Sequence, residues 1–154
     1  MRVAAWSMLQ DDPAHAPYGW THCLTLAQAA TRFAAATENP LRALAVAATH
    51  VVGFRAALGN TQVTAVYEPE PTAVDAIAAL DATPQIAAAA VHHAPERAVA
   101  AITTELASRA ALHPDAHVAK YTLACFDAAY ADPDHARLFL SAAAFLHGWW
   151  AQAG

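Results

Sequence analysis

Charge is scarce in this chain. Asp, Glu, Lys and Arg make up 14% of its 154 residues, and only eight of those are basic. A globular chain usually carries about 25% charged residues. Eight Lys and Arg spread singly, on a chain of net charge −5, give no footprint for nucleic acid and no polybasic run for anionic lipid. With only Cys23 and Cys125, a disulfide framework is excluded and a reduced cytoplasm is expected. The N-terminal stretch meets Gln10-Asp11-Asp12 too early for a signal peptide. Apolar runs are broken by His, Asp, Glu or Arg before the roughly 20 residues of a membrane span, the longest being Leu138–Trp150 with its His147.

Familiar catalytic signatures are missing as well. The sequence has no Gly-x-Gly-x-x-Gly, no phosphate-binding loop, no His-Glu-x-x-His, no Gly-x-Ser-x-Gly and no Cys-x-x-Cys. Without Glu-x-x-His it also lacks the paired motif of ferritin-like di-iron bundles.

What fills the chain instead is alanine, 45 residues within a hydrophobic fraction of 57%. Alanine is the best helix former, and its small side chain lets helices approach closely. Asn39-Pro40 reads as an N-cap followed by a first-turn proline, and Gly59-Asn60 as a stop. Thr72, Thr83 and Asp132 stand where N-caps belong, and Pro95 and Pro114 where first-turn prolines do. The pattern predicts helices over Arg2–Gln10, Thr25–Thr37, Pro40–Leu58, Ala73–Leu80, Pro84–His92, Pro95–Ala111, Pro114–Ala131 and Pro133–Gln152. Thr61–Tyr67 is strand-like but has nothing to pair with, so it is read as an extended loop. The expectation is all-α: one helical domain over residues 1–154, a bundle of about seven alanine-rich helices with no sheet. So apolar a chain also suggests that some surface meets a partner, including a second copy of itself.

Nine histidines are a surplus for this length. His113 and His117 lie four apart near a predicted helix start, a spacing that puts two imidazoles on one face as a metal site requires; alternatively, His113 simply precedes Pro114. His50 falls mid-helix among Ala, Val and Phe, and needs a hydrogen-bond partner or a ligand there. His22 precedes a helix expected to be capped by Thr25, a place from which a polar group can meet a ligand. Beside Cys23 it also raises a thiolate reading, though adjacent side chains usually diverge. His117, Lys120 and Tyr121 share a polar strip one helical turn long, where a lysine can hold an oxyanion or snorkel to solvent. His92-His93 suits a helix C-terminus, His135 is a first-turn residue, and His147 with Trp149 and Trp150 is expected to stack at a surface or interface.

Three stretches taken together resemble a known family. They are Gly19-Trp20-Thr21-His22-Cys23-Leu24-Thr25-Leu26-Ala27-Gln28-Ala29, Ala48-Thr49-His50-Val51-Val52-Gly53-Phe54-Arg55-Ala56-Ala57-Leu58-Gly59, and His117-Val118-Ala119-Lys120-Tyr121-Thr122-Leu123-Ala124-Cys125 running into Asp132-Pro133. Their order resembles the C-terminal part of the questin oxidase-like proteins. The resemblance implies a helical oxygenase-like protein that opens an anthraquinone ring by Baeyer–Villiger-type chemistry, using dioxygen and NADPH. By position, it implies His22, His50, His117 and Lys120 as site residues. Members of that family are longer, so the resemblance also implies a C-terminal fragment, a split gene product whose companion chain supplies the missing N-terminal half, or a degenerate, inactive relative. Three functions are therefore in play: an oxidoreductase acting on a small aromatic or polyketide molecule, a non-catalytic helical dimerisation module, and a metal- or haem-binding bundle with His22, His50 and His117 as ligands.

Overall fold

A computed structural model describes residues 1–12, 15–58 and 64–153, and Ala153 by its backbone alone. Among them are seven α-helices, three short 3-10 turns and no strand. The helices are α1 (Arg2–Gln10), α2 (Tyr18–Ala34), α3 (Pro40–Leu58), α4 (Pro84–His93), α5 (Val99–Leu112), α6 (Ala116–Ala131) and α7 (Ala136–Ala153). The all-α expectation holds. The predicted stop at Gly59-Asn60 and the first part of the Thr61–Tyr67 loop lie outside the described residues.

The hub is α7. Its run from Leu138 to His147 is buried throughout, and α4, α6 and α1 all pack on it. Alanine makes the closest contact feasible. Ala87, Ala88, Ala89, Ala90 and Val91 of α4 are buried, and Gly148 of α7 has no room for a side chain: a Cβ there would lie 3.1 Å from both Ala87 Cβ and Pro84 Cα. Leu80, Ile102, Leu106, Val118, Tyr121 and Phe139 fill the remaining core.

Several boundaries differ from the sequence expectation for identifiable reasons. Helix α2 begins seven residues early, at Tyr18, because the Thr25 hydroxyl donates back to the Thr21 carbonyl (2.9 Å) rather than capping a new helix. The segment predicted as Ala73–Leu80 forms only the 3-10 turn Ala78–Asp81. Thr72 accepts from the Val74 amide, and the Asp75 carboxylate from those of Ile77 and Ala78. So short a stretch does not offset the cost of nucleating an α-helix. Thr83 does cap α4, accepting from the Ile86 amide. Helices α5 and α7 open with 3-10 turns at Glu96–Ala98 and Pro133–His135. Asp132 uses its carboxylate on Arg2 and His135 rather than as a cap.

Helix α3 stands apart from the rest. It packs on α2 as the second arm of a helical hairpin and touches α1 slightly. The hairpin is antiparallel: the Phe54 ring lies over Gly19, where even one Cβ would clash, and meets Trp20 edge-on at 4.7 Å. Only Ala47 and Val51 of its nineteen residues are buried. Of the described helices, α3 is the one long and apolar enough to cross a membrane by length and composition. The sequence expectation had placed the longest apolar run in α7.

Candidate histidine groove

Pairing α2 against α3 in this register puts Gly19 beside Phe54, and so brings His22 opposite His50. The ring of His117, from α6, lies 6.1 Å from that of His22. Lys120, one turn further along α6, is near enough to act on His22 electrostatically, as are His117 and His50. Four of the residues singled out in the sequence, drawn from three helices, therefore gather at one place. Lys120 is also the only lysine in the chain. The cluster is open to solvent, since all four side chains are exposed.

Each imidazole is oriented by a neighbour. His22 Nδ1 lies 2.9 Å from the Tyr18 carbonyl, which can only accept, so Nδ1 carries the proton and Nε2 faces outward with a lone pair. Partial desolvation, followed by the Lys120 ammonium and the nearby His117 and His50 rings, lowers its pKa, so His22 is neutral near pH 7. His117 Nδ1 is 2.8 Å from the Asp115 carboxylate, which also caps α6 through the His117 amide. A carboxylate behind an imidazole fixes its tautomer and ring orientation. Two imidazoles with uncommitted Nε2 atoms and one ammonium can accept a proton from an acidic hydroxyl and hold the resulting anion.

An apolar groove of about 600 Å³ leads away from this cluster between α2 and α3. Leu26 and Phe33 line it from α2, and Ala43 and Val46 from α3, with Arg42 at its far end. Leu26 is one helical turn from His22 and Val46 one turn from His50, so the two histidines continue the same helical stripes.

Other expected site residues go elsewhere. Tyr121 does not join His117 and Lys120: it is 1% exposed, and its hydroxyl points into the core toward Met8 Sδ at 3.4 Å. One residue of helix separates Lys120 from Tyr121 by about 100°, enough to turn one outward and the other inward. The His113–His117 pair also dissolves. His113 is not on α6; it closes α5 in extended backbone, because the residue before a proline is pushed out of the α region. Its Nδ1 accepts from the Asp115 amide and its ring packs on Trp150 at 5.1 Å. Among the described residues no three His, Cys, Asp or Glu gather as a metal site would need. Cys23 is buried, and burial pushes its thiol up to about 11, so it is not a thiolate nucleophile.

His147 was expected at a surface and is instead 6% exposed, bonded to Thr122 (3.1 Å) across α6 and α7. Burial, then the nearby Arg109 and His113, lowers its pKa to about 4. The signal in the sequence was a Thr and a His each lying within an apolar stripe, where a polar group must find a partner. His92 and His135 line a smaller cleft of about 250 Å³ with Trp6, Tyr67 and Arg137.

Together these features define an all-helical protein with an open, histidine-ended apolar groove. Comparison with protein-family models, curated proteins and solved structures finds no match to this chain.

Proposed function

We propose that the chain holds a planar aromatic molecule bearing carbonyl and phenolic oxygens, as the substrate-binding and proton-handling part of an oxidoreductase of the questin oxidase-like kind. The observation that carries this reading is the gathering of His22, His50, His117 and Lys120 at the end of the apolar groove. A groove of this size lies within the usual range for small-molecule sites, which are mostly apolar with a few converging polar groups. The rings of an anthraquinone lie along Leu26, Phe33 and Val46. Its phenolic oxygen reaches the cluster, where the Nε2 of His22 or His117 takes the proton and the Lys120 ammonium holds the phenolate. Electron density pushed into the ring system in this way prepares it for oxidation.

The resemblance also implies NADPH, but the described residues do not fit a dinucleotide. No glycine-rich turn opens a helix: Gly19 is covered by the Phe54 ring, Gly53 lies within α3, and Gly148 is packed on α4. A pyrophosphate would find only the Lys120 ammonium at the cluster.

Titration with a hydroxyanthraquinone, followed by absorbance, tests the reading. Binding is expected to shift the dye toward its phenolate spectrum at a pH below its free pKa, and Lys120→Met to reverse that shift. His22→Gln should weaken binding about tenfold, the loss of one strong hydrogen bond being roughly 1.5 kcal/mol. A dye spectrum unchanged by the protein would refute the assignment.

A further inference from the structure

The far end of the groove differs in chemistry from its histidine end. Arg42 is exposed there, with Thr37 and Asn39 in the wall beside it. The Asn39 side-chain oxygen accepts from the Arg42 backbone N–H at 3.3 Å, which leaves its NH2 group to donate. The Thr37 hydroxyl oxygen accepts from the Asn39 N–H at 3.4 Å, leaving its O–H to donate as well. This end therefore offers hydrogen-bond donors and a guanidinium charge, but no base. No Asp or Glu is among the described residues lining the groove, although Glu38 stands between Thr37 and Asn39 in the chain. The chain as a whole has a net charge of −5. A groove with a cation at each end and no carboxylate in its walls is complementary to an anion.

Spacing and acidity divide the ligand's groups between the two ends. Arg42, Val46 and His50 are four residues apart in turn, and so share one stripe of α3. Eight residues of helix separate Arg42 from His50 by about 12 Å along the axis. Three fused rings with a polar substituent at either end have this reach. A phenol must give up a proton to become an anion, and the imidazoles that can take it stand only at the histidine end. A carboxylic acid is already ionised above about pH 4 and needs no base. Its two oxygens also match the planar fork of arginine better than the point charge of a lysine.

We infer that the groove selects an aromatic acid, a planar ring system with a phenolic hydroxyl at the histidine end and a carboxylate held by Arg42 at the other. Arg42 then determines specificity and takes no part in handling the proton. The inference rests on the aromatic-ligand reading above and adds the second acidic group to it.

Two dyes that differ only in that group provide the test: 2-hydroxyanthraquinone and 6-hydroxyanthraquinone-2-carboxylate. In absorbance titrations at low salt the wild type should bind the carboxylate about fivefold more tightly, the upper range for one exposed ion pair. That preference should fade at about 0.5 M salt, where exposed charges are screened. Arg42→Met should erase the preference with an unchanged far-ultraviolet spectrum, since the side chain faces solvent, and Arg42→Lys should restore part of it. Tyr130→Met, on α6 at 91% exposure, should keep it whole. Equal binding of the two dyes by the wild type overturns the inference and leaves the aromatic-ligand reading standing. So does a preference that survives Arg42→Met and is lost in Lys120→Met, which would put the carboxylate at the histidine end. If neither dye binds, the aromatic-ligand reading fails and this inference falls with it.

Discussion

Acidification should destabilise this protein through one buried imidazole, and His147→Gln isolates the effect. His147 is enclosed between α6 and α7 and bonded to Thr122, and its folded pKa of about 4 lies below the 6.5 of a free histidine. As the pH falls through 6.5 the unfolded chain takes up a proton that the folded chain refuses. Stability from this group is therefore whole above 6.5 and is lost progressively toward pH 4, below which both states hold the proton. Linkage gives a loss of about 2 kcal/mol between pH 7 and pH 5, and about 3 kcal/mol by pH 4. Glutamine keeps a polar reach to Thr122 and does not titrate. Urea unfolding of both proteins at pH 7, 5 and 4 should show the variant losing about 2 kcal/mol less than wild type by pH 5. His22 and His92 also have lowered pKa values, but they are present in both proteins and cancel. Parallel pH dependence in the two would refute the claim that His147 is buried and neutral.

Leu106→Ala, at a fully buried position, should cost about 2–5 kcal/mol in a denaturant titration, a penalty set by how far the cavity collapses. Gly148→Ala places a Cβ within 3.2 Å of the Ala82 carbonyl and 3.1 Å of Pro84 Cα. Because backbone must yield, a lower melting temperature and a loss of about 1 kcal/mol or more are expected. Arg109→Met removes a two-pronged contact to Asp81 and one to Glu105. With Asp81 largely exposed, chemical unfolding should register no more than about 1 kcal/mol.

Local chemistry was legible in the sequence wherever it depends on neighbours along the chain. Alanine content and the Asn39-Pro40 and Thr83-Pro84 starts determined an all-helical chain, because helix propensity and capping act over a few residues. The cluster was legible in its membership but not in its setting. His22, His50, His117 and Lys120 were marked as candidates, yet that they meet follows from the antiparallel register of α2 on α3, set by the Phe54 ring lying over Gly19. Their exposure was not foreseen either, since it depends on what α3 lacks as a neighbour. The same four-residue spacing that suggested a His113–His117 pair was broken by Pro114, while Tyr121 and His147 were turned into the core by the packing of α6 on α7. Periodicity gives each helix a face, but which face is buried is decided by the other helices, and those contacts join residues far apart in the chain.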